Sequence, residues 1–234
     1  MIKAILFDKD GTLLDFNATW LSFTRELAEA ATDGDTAAAD ALLLDGGLDP
    51  QTNTFRPNSV VAAGTNADVV RHFYKGVEGE PLRALVDSAN RKSSDIAGRA
   101  IPLPGAIEAV RALHKSGMVL GIATNDSTSG AEKTMAAFGI SSMFAAAYGY
   151  DAVANPKPAP DALLAFAELA GVRPSEVAMV GDNLHDLEMA KAGGAGLAIG
   201  VLSGTGTREA LAPLADVILD SVAALPGYFG VPLA

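Results

Sequence analysis

Outside residues 16–99 one pattern recurs: a short apolar run ends in small or acidic residues, and a helix-like segment follows. The runs are KAILFD (3–8), MVLGIATN (118–125), VAMVGD (177–182), GLAIGV (196–201) and DVIL (216–219), with MFAAAYGY (143–150) a weaker member. The helical segments include GAIEAVRALHKSG (105–117), STSGAEKTMAAFG (127–139) and APDALLAFAELAG (159–171). In the first and last of these, apolar residues recur at helical spacing and a glycine closes the segment as a C-cap. Strands apolar on successive residues need cover on both faces, and strands alternating with helices join in parallel. The pattern predicts an α/β fold, a Rossmann-like parallel sheet flanked by helices. In such sheets ligands bind beyond the carboxyl ends of the strands.

Residues 16–99 break the alternation. They read as helices around Trp20–Ala31, Thr36–Leu44, Ala67–Tyr74 and Pro81–Ile96, with no comparable strand between them. The expected organisation is a core of residues 1–15 and 100–234 carrying a small all-helical insert, 16–99. Its connections fall near Leu14–Phe16 and Ala100–Pro104. Within the insert, TFRPNSVVAAGTN (54–66) is rich in turn formers and polar groups and is expected to face the site. Arg56, Arg71 and Lys75 read as ordinary surface charges.

Composition narrows the chemistry. The 234 residues are ample for a hydrophobic core, and the absence of cysteine excludes thiol redox chemistry, Cys-based zinc sites and disulfides. A net charge of −11 without a basic cluster argues against a nucleic-acid partner. No stretch reaches the ~18 apolar residues of a membrane span, so a cytoplasmic protein, monomer or homodimer, is the expectation.

Four expected strand-end loops carry polar residues: Asp8, Asp10, Gly11 and Thr12; then Thr124, Asn125 and Asp126; then Lys157 in NPKPAP; then Asp182, Asn183 and Asp186. Singly, each has a bland reading as a turn, a helix cap or a solvated lysine. Together they do not. Asp8 and Asp10 are two apart at a strand end, Asp182 and Asp186 four apart at a helix start, so each pair shares one side. Two carboxylates 4 Å apart repel by roughly 1 kcal/mol in water and about 4 kcal/mol at an effective dielectric of 20. Gathering several at one sheet edge calls for a cation. An oxygen-only donor set points to a hard ion, and Mg²⁺ suits carboxylates that share it with water and a phosphate. An EF-hand fails on glycine position and at Thr19, no Walker loop or nucleophile elbow occurs, and GTGTRE (204–209) lacks the third glycine of a dinucleotide fingerprint. His185 reads as a helix-surface residue rather than a metal ligand.

At these residues the chain resembles the haloacid dehalogenase superfamily of aspartate-nucleophile hydrolases. FDKDGTL (7–13) is similar to its first motif, Thr124 of IATN to its second, Lys157 to its third and GDNLHD (181–186) to its fourth. The helical insert resembles the C1-type cap of the phosphoglycolate phosphatase-like branch, as does GVLSGTGTREAL…ADVILDSVAAL (200–225). The resemblance implies a Mg²⁺-dependent phosphomonoesterase on a small phosphorylated metabolite, with 2-phosphoglycolate as leading substrate. Asp8 would be the nucleophile and Asp10 the acid and base. Asp8, the Asp10 carbonyl, Asp182 and Asp186 would hold the metal. Gly11, Thr12, Thr124, Asn125 and Lys157 would bind phosphate, Thr124 and Lys157 also serving catalysis. A phosphomutase of the same superfamily and a non-catalytic binding protein on this fold stand as alternatives.

Overall fold

The structure is a computed structural model describing residues 1–233. Six strands form one parallel sheet in the order β5-β4-β1-β6-β7-β8: β1 (Ala4–Phe7), β4 (Val119–Ala123), β5 (Phe144–Tyr148), β6 (Val177–Gly181), β7 (Leu197–Val201) and β8 (Val217–Leu219). The α/β expectation is met.

Alternate residues of each strand feed opposite layers, as a two-residue side-chain period requires. Ile5 and Phe7 of β1, with Ala178 and Val180 of β6, enter one hydrophobic cluster; Ala4 and Leu6, with Val177 and Met179, enter the other. Helices α6 (Ala106–Lys115) and α7 (Thr128–Ala137) cover the first face, and α8 (Asp161–Leu169) and α9 (Leu184–Gly193) the second. All four residues of β1 are fully buried, each large side chain contributing about 1.5–3 kcal/mol. That fixes the position of whatever follows Phe7. Edge strand β5 is only half-buried, and this is why its apolar signal is weak.

The segment between β1 and α6 has a hydrophobic cluster of its own, with Phe16, Trp20, Phe23, Leu43, Val70 and Phe73 among its members. Its helices are α1 (Phe16–Ala31), α2 (Thr36–Asp45), α3 (Val60–Ala63), α4 (Asn66–Phe73) and α5 (Gly79–Ala97). Asp15 caps α1 by accepting from the Ala18 N–H at 3.0 Å, and a reciprocal Thr65–Asp68 capping box starts α4. The two connections run side by side: Asp15 donates to the Ile101 carbonyl (2.8 Å) and Leu103 to that of Leu13 (3.0 Å).

The expectation that this segment is purely helical is corrected. Leu48–Asp49 (β2) and Thr54–Phe55 (β3) pair antiparallel. Asn53 at φ 56° reverses the chain between them, where Asp49 accepts from the Gln51 and Asn53 amides. Two-residue strands are too short to show a period of two, so the pattern could not reveal them.

Candidate active site at the carboxyl ends of the strands

The carboxyl ends of β1, β4 and β6 lie side by side, and their loops deliver Asp8, Thr124 and Asp182 to one place. The loop before α8 delivers Lys157, and the first turn of α9 Asp186. Carboxylate oxygens of Asp8, Asp182 and Asp186 all lie within 4.8 Å of one another, and all three residues are buried. Lys157 bridges two of them, donating to Asp8 Oδ1 and Asp186 Oδ1 at 2.6 Å each. Asp182 is fixed by the Thr205 amide at 2.7 Å and more distantly by the Thr12 hydroxyl at 3.5 Å. Asp186 also accepts from the Asn183 amide at 3.0 Å as the third residue of a capping box, so the turn that starts α9 also aims this carboxylate.

Burial pushes the Asp8 carboxyl up to about 7, Lys157 opposing and Asp186 and Asp10 adding to the shift. Burial likewise raises Asp182 well above the ordinary carboxylate range, aided by Asp8 and Asp186. For Lys157 burial acts downward, but Asp186 and Asp8 together outweigh it and hold the ammonium above its usual value. Three carboxylates and one ammonium leave a formal charge of −2 in a buried, oxygen-lined cluster. That donor set fits one hard divalent cation. The main-chain carbonyl of Asp10 adds to the fit: it accepts no hydrogen bond among the described residues. Gly11 (φ 82°) and Gly204 permit the close approach. A Cβ on Gly11 would meet Asp182 Oδ2 at 2.7 Å, and one on Gly204 would overlap the same oxygen.

Asp10 turns its carboxylate elsewhere. Lys9, fully buried, sits 2.9 and 2.7 Å from its two oxygens and 3.0 Å from Asp126 Oδ2. The Trp20 indole N–H of α1 donates to Asp10 Oδ1 at 2.5 Å, the Lys9 ammonium lies 5.1 Å from the Trp20 ring centroid, and the Thr124 hydroxyl reaches Asp10 Oδ2 at 3.4 Å. Burial pulls the Lys9 ammonium down, yet Asp10 and Asp126 together carry it above its usual value. Burial raises Asp126.

Of the expected phosphate ligands, Thr124 and Lys157 line the pocket over the carboxylates. The amides of Gly11 and Thr12 are engaged inside their own turn, by the carbonyls of Leu14 (2.9 Å) and Lys9 (3.3 Å), leaving those of Lys9 and Asp10 as donors of this loop that no acceptor among the described residues engages. The Asn125 amide group donates to the carbonyls of Ala63 (3.0 Å) and Lys157 (3.2 Å), so it ties the helical segment to the loop rather than facing an anion. His185 is half-buried, not a helix-surface residue: its Nδ1 lies 3.2 Å from the same Ala63 carbonyl. Segment 60–66 roofs the pocket through Val61, Ala62, Ala63, Gly64 and Asn66, whereas Arg71 and Lys75 pair with Asp68 and Asp45 at the surface. Lys9, Trp20 and Thr205 escaped sequence reasoning. An unbroken FDKDGTL run with a lysine between two aspartates was the one available signal for Lys9.

The family model of haloacid dehalogenase-like hydrolases matches residues 2–194. The chain is 30% identical over 196 residues to an N-acetylmuramic acid 6-phosphate phosphatase of Pseudomonas aeruginosa, covering 82% of this chain and 79% of that one. It is 29% identical over 246 residues to a phosphoglycolate phosphatase of Salmonella typhimurium, covering 99% and 94%. A haloacid dehalogenase-like hydrolase structure from Bacteroides fragilis superposes with TM-score 0.78 at 19% identity, over 96% of this chain and 100% of that one, a likeness of fold.

Proposed function

Because the chain belongs to the haloacid dehalogenase-like hydrolase family, we propose that it is a Mg²⁺-dependent phosphomonoesterase acting on a small phosphorylated metabolite through an aspartyl-phosphate. The observation that carries the reading is the cluster of three buried carboxylates around a single ammonium.

In the first half-reaction a carboxylate oxygen of Asp8 attacks phosphorus, the bond from phosphorus to the ester oxygen breaks, and the departing alcohol takes a proton from Asp10. In the second, water gives a proton to Asp10 and attacks phosphorus, releasing inorganic phosphate and restoring Asp8. Lys157 and the Thr124 hydroxyl hold phosphoryl oxygens, and the amides of Lys9 and Asp10 are placed to help. The carboxylates of Asp8, Asp182 and Asp186, with the Asp10 carbonyl, would hold the cation. When bound, Mg²⁺ supplies charge neutralisation between Asp8 and the incoming phosphate. Residues 16–99 serve as a cap that closes over the reacting groups and excludes water.

The test is hydrolysis of p-nitrophenyl phosphate with and without Mg²⁺, together with acid-quench trapping of phosphorylated protein. Inert protein in the presence of metal, or unchanged activity in Asp8→Asn, contradicts the reading. 2-Phosphoglycolate and N-acetylmuramic acid 6-phosphate enter the first substrate panel because relatives are named for them.

A further inference from the structure

The pocket above the carboxylates has two unlike halves. Its floor is ionic, formed by Asp8, Asp182, Asp186 and Lys157. Its roof, from α1, residues 60–66 and α4, presents Phe16, Trp20, Phe23, Val61 and Val69. No Arg or Lys between residues 16 and 99 lines it. Arg25, Arg71 and Lys75 are paired with Asp40, Asp68 and Asp45 (2.9, 3.4 and 2.9 Å), and Arg56, Arg91 and Lys92 are exposed.

The polar side chains that the helical segment contributes to the roof offer acceptors. Both hydrogens of the Asn66 amide are committed, to Asn90 Oδ1 (3.0 Å) and Ser93 Oγ (2.8 Å), which leaves Oδ1 as an acceptor. The Thr24 hydroxyl donates to the Trp20 carbonyl at 2.9 Å and keeps only its lone pairs. The one indole hydrogen of Trp20 is on Asp10. The main-chain N–H groups of residues 62 to 65 are engaged by Ser59, Val60 and Asp68.

A roof of apolar faces and acceptors, without a cation, satisfies hydroxyl groups and penalises a second anion; the unpartnered side-chain NH2 of Asn183 beside it is a neutral donor and leaves the charge of such an anion unbalanced. Resting on the phosphatase reading, we infer that the group esterified to phosphate is an uncharged hydroxyl-bearing alcohol of the polyol or sugar class, and not a carboxylate-bearing acid or a second phosphate ester. A bisphosphate-dependent phosphomutase fits this roof no better than 2-phosphoglycolate does.

Two pairs matched in skeleton test it with the full chain and Mg²⁺: glycerol 3-phosphate against 3-phosphoglycerate, and 2-hydroxyethyl phosphate against 2-phosphoglycolate. The uncharged member of each pair is expected to have the higher kcat/KM by about tenfold or more. Equal or reversed preference overturns the inference while leaving the phosphatase reading intact. Inert protein on all four and on p-nitrophenyl phosphate overturns both. Ala62→Arg, at a half-buried roof position, is expected to shift the ratio towards the anionic members; an unmoved ratio counts against the roof as the discriminating surface.

Discussion

Two buried lysines lie at this sheet edge, each wedged between two carboxylates, and they are not equivalent. Lys9 joins Asp10 and Asp126, and the remaining formal charge of −1 is met by neutral donors: the Trp20 indole, the Thr124 hydroxyl and the Ser127 amide on Asp126 at 2.7 Å. Lys157 joins Asp8 and Asp186 with Asp182 as a third carboxylate, and the remaining −2 meets neutral donors on Asp182 (the Thr205 and Thr12 groups) and Asp186 (the Asn183 main-chain N–H), while Asp8 has none among the described residues. The first centre is closed upon itself; the second carries the larger charge and its donor set fits a cation. The same local device, an ammonium between acids, thus leaves a nearly balanced centre around Asp10 on one side and a net-anionic carboxylate cluster on the other, and the count of carboxylates sets the difference.

The largest effect falls on the open centre. Asp8→Asn removes the proposed nucleophile, and kcat for p-nitrophenyl phosphate is expected to drop by about 10⁴-fold or more, with no trapped phosphoprotein. Residual turnover close to wild type would erase the distinction between the centres.

Next come the lysines themselves. Replacing either by Met strands buried carboxylates and is expected to cost about 3–5 kcal/mol in denaturant unfolding. Mg²⁺ separates the two. It should raise the melting temperature of Lys157→Met by more than that of wild type, because the variant's cluster is one charge more negative. The gain in Lys9→Met should equal that of wild type. Equal gains in both variants would mean that Lys157 is not part of the cation-binding centre.

Smaller again is the stabilisation of the intact chain by metal. At 100 times its dissociation constant Mg²⁺ should add about 2.7 kcal/mol, and Asp182→Asn should reduce that gain while leaving the Lys9 centre untouched. Calorimetric titration with Mg²⁺ reads the same loss without recourse to activity.

What the sequence revealed follows the same division. Asp8, Asp182 and Asp186 were legible because strand ends and a helix turn place them by rules of period two and three to four, Lys157 only through the resemblance of its segment to a family motif, and the β1 run predicted a buried strand that the structure bears out. Lys9 and Trp20 were not. A lysine at an expected turn reads as solvated, and its burial depends on Trp20, eleven residues on in another element, and on Asp126, more than a hundred residues away. Thr205 lies 23 residues from the Asp182 it holds, in another loop. The Ala63 carbonyl that meets both Asn125 and His185 is a main-chain atom, which no residue type announces. Side chains whose role is set by long-range packing leave no local period to read.

Trp20 gives the finest probe of the closed centre, since its ring and its N–H do separable work. The ring lies beside the Lys9 ammonium, and the N–H reaches Asp10. Trp20→Phe keeps an aromatic face and deletes the donor, so unfolding should cost about 1.5–3 kcal/mol, the value of a hydrogen bond to a charged group, well below the loss expected for Lys9→Met. The catalytic consequence should depend on the leaving group. Aryl phosphates depart without much help from an acid, whereas alkyl phosphates need a proton, proposed to come from Asp10. If Trp20 orients Asp10, the variant should lose more kcat on glycerol 3-phosphate than on p-nitrophenyl phosphate. An equal loss on both would assign Trp20 to packing alone.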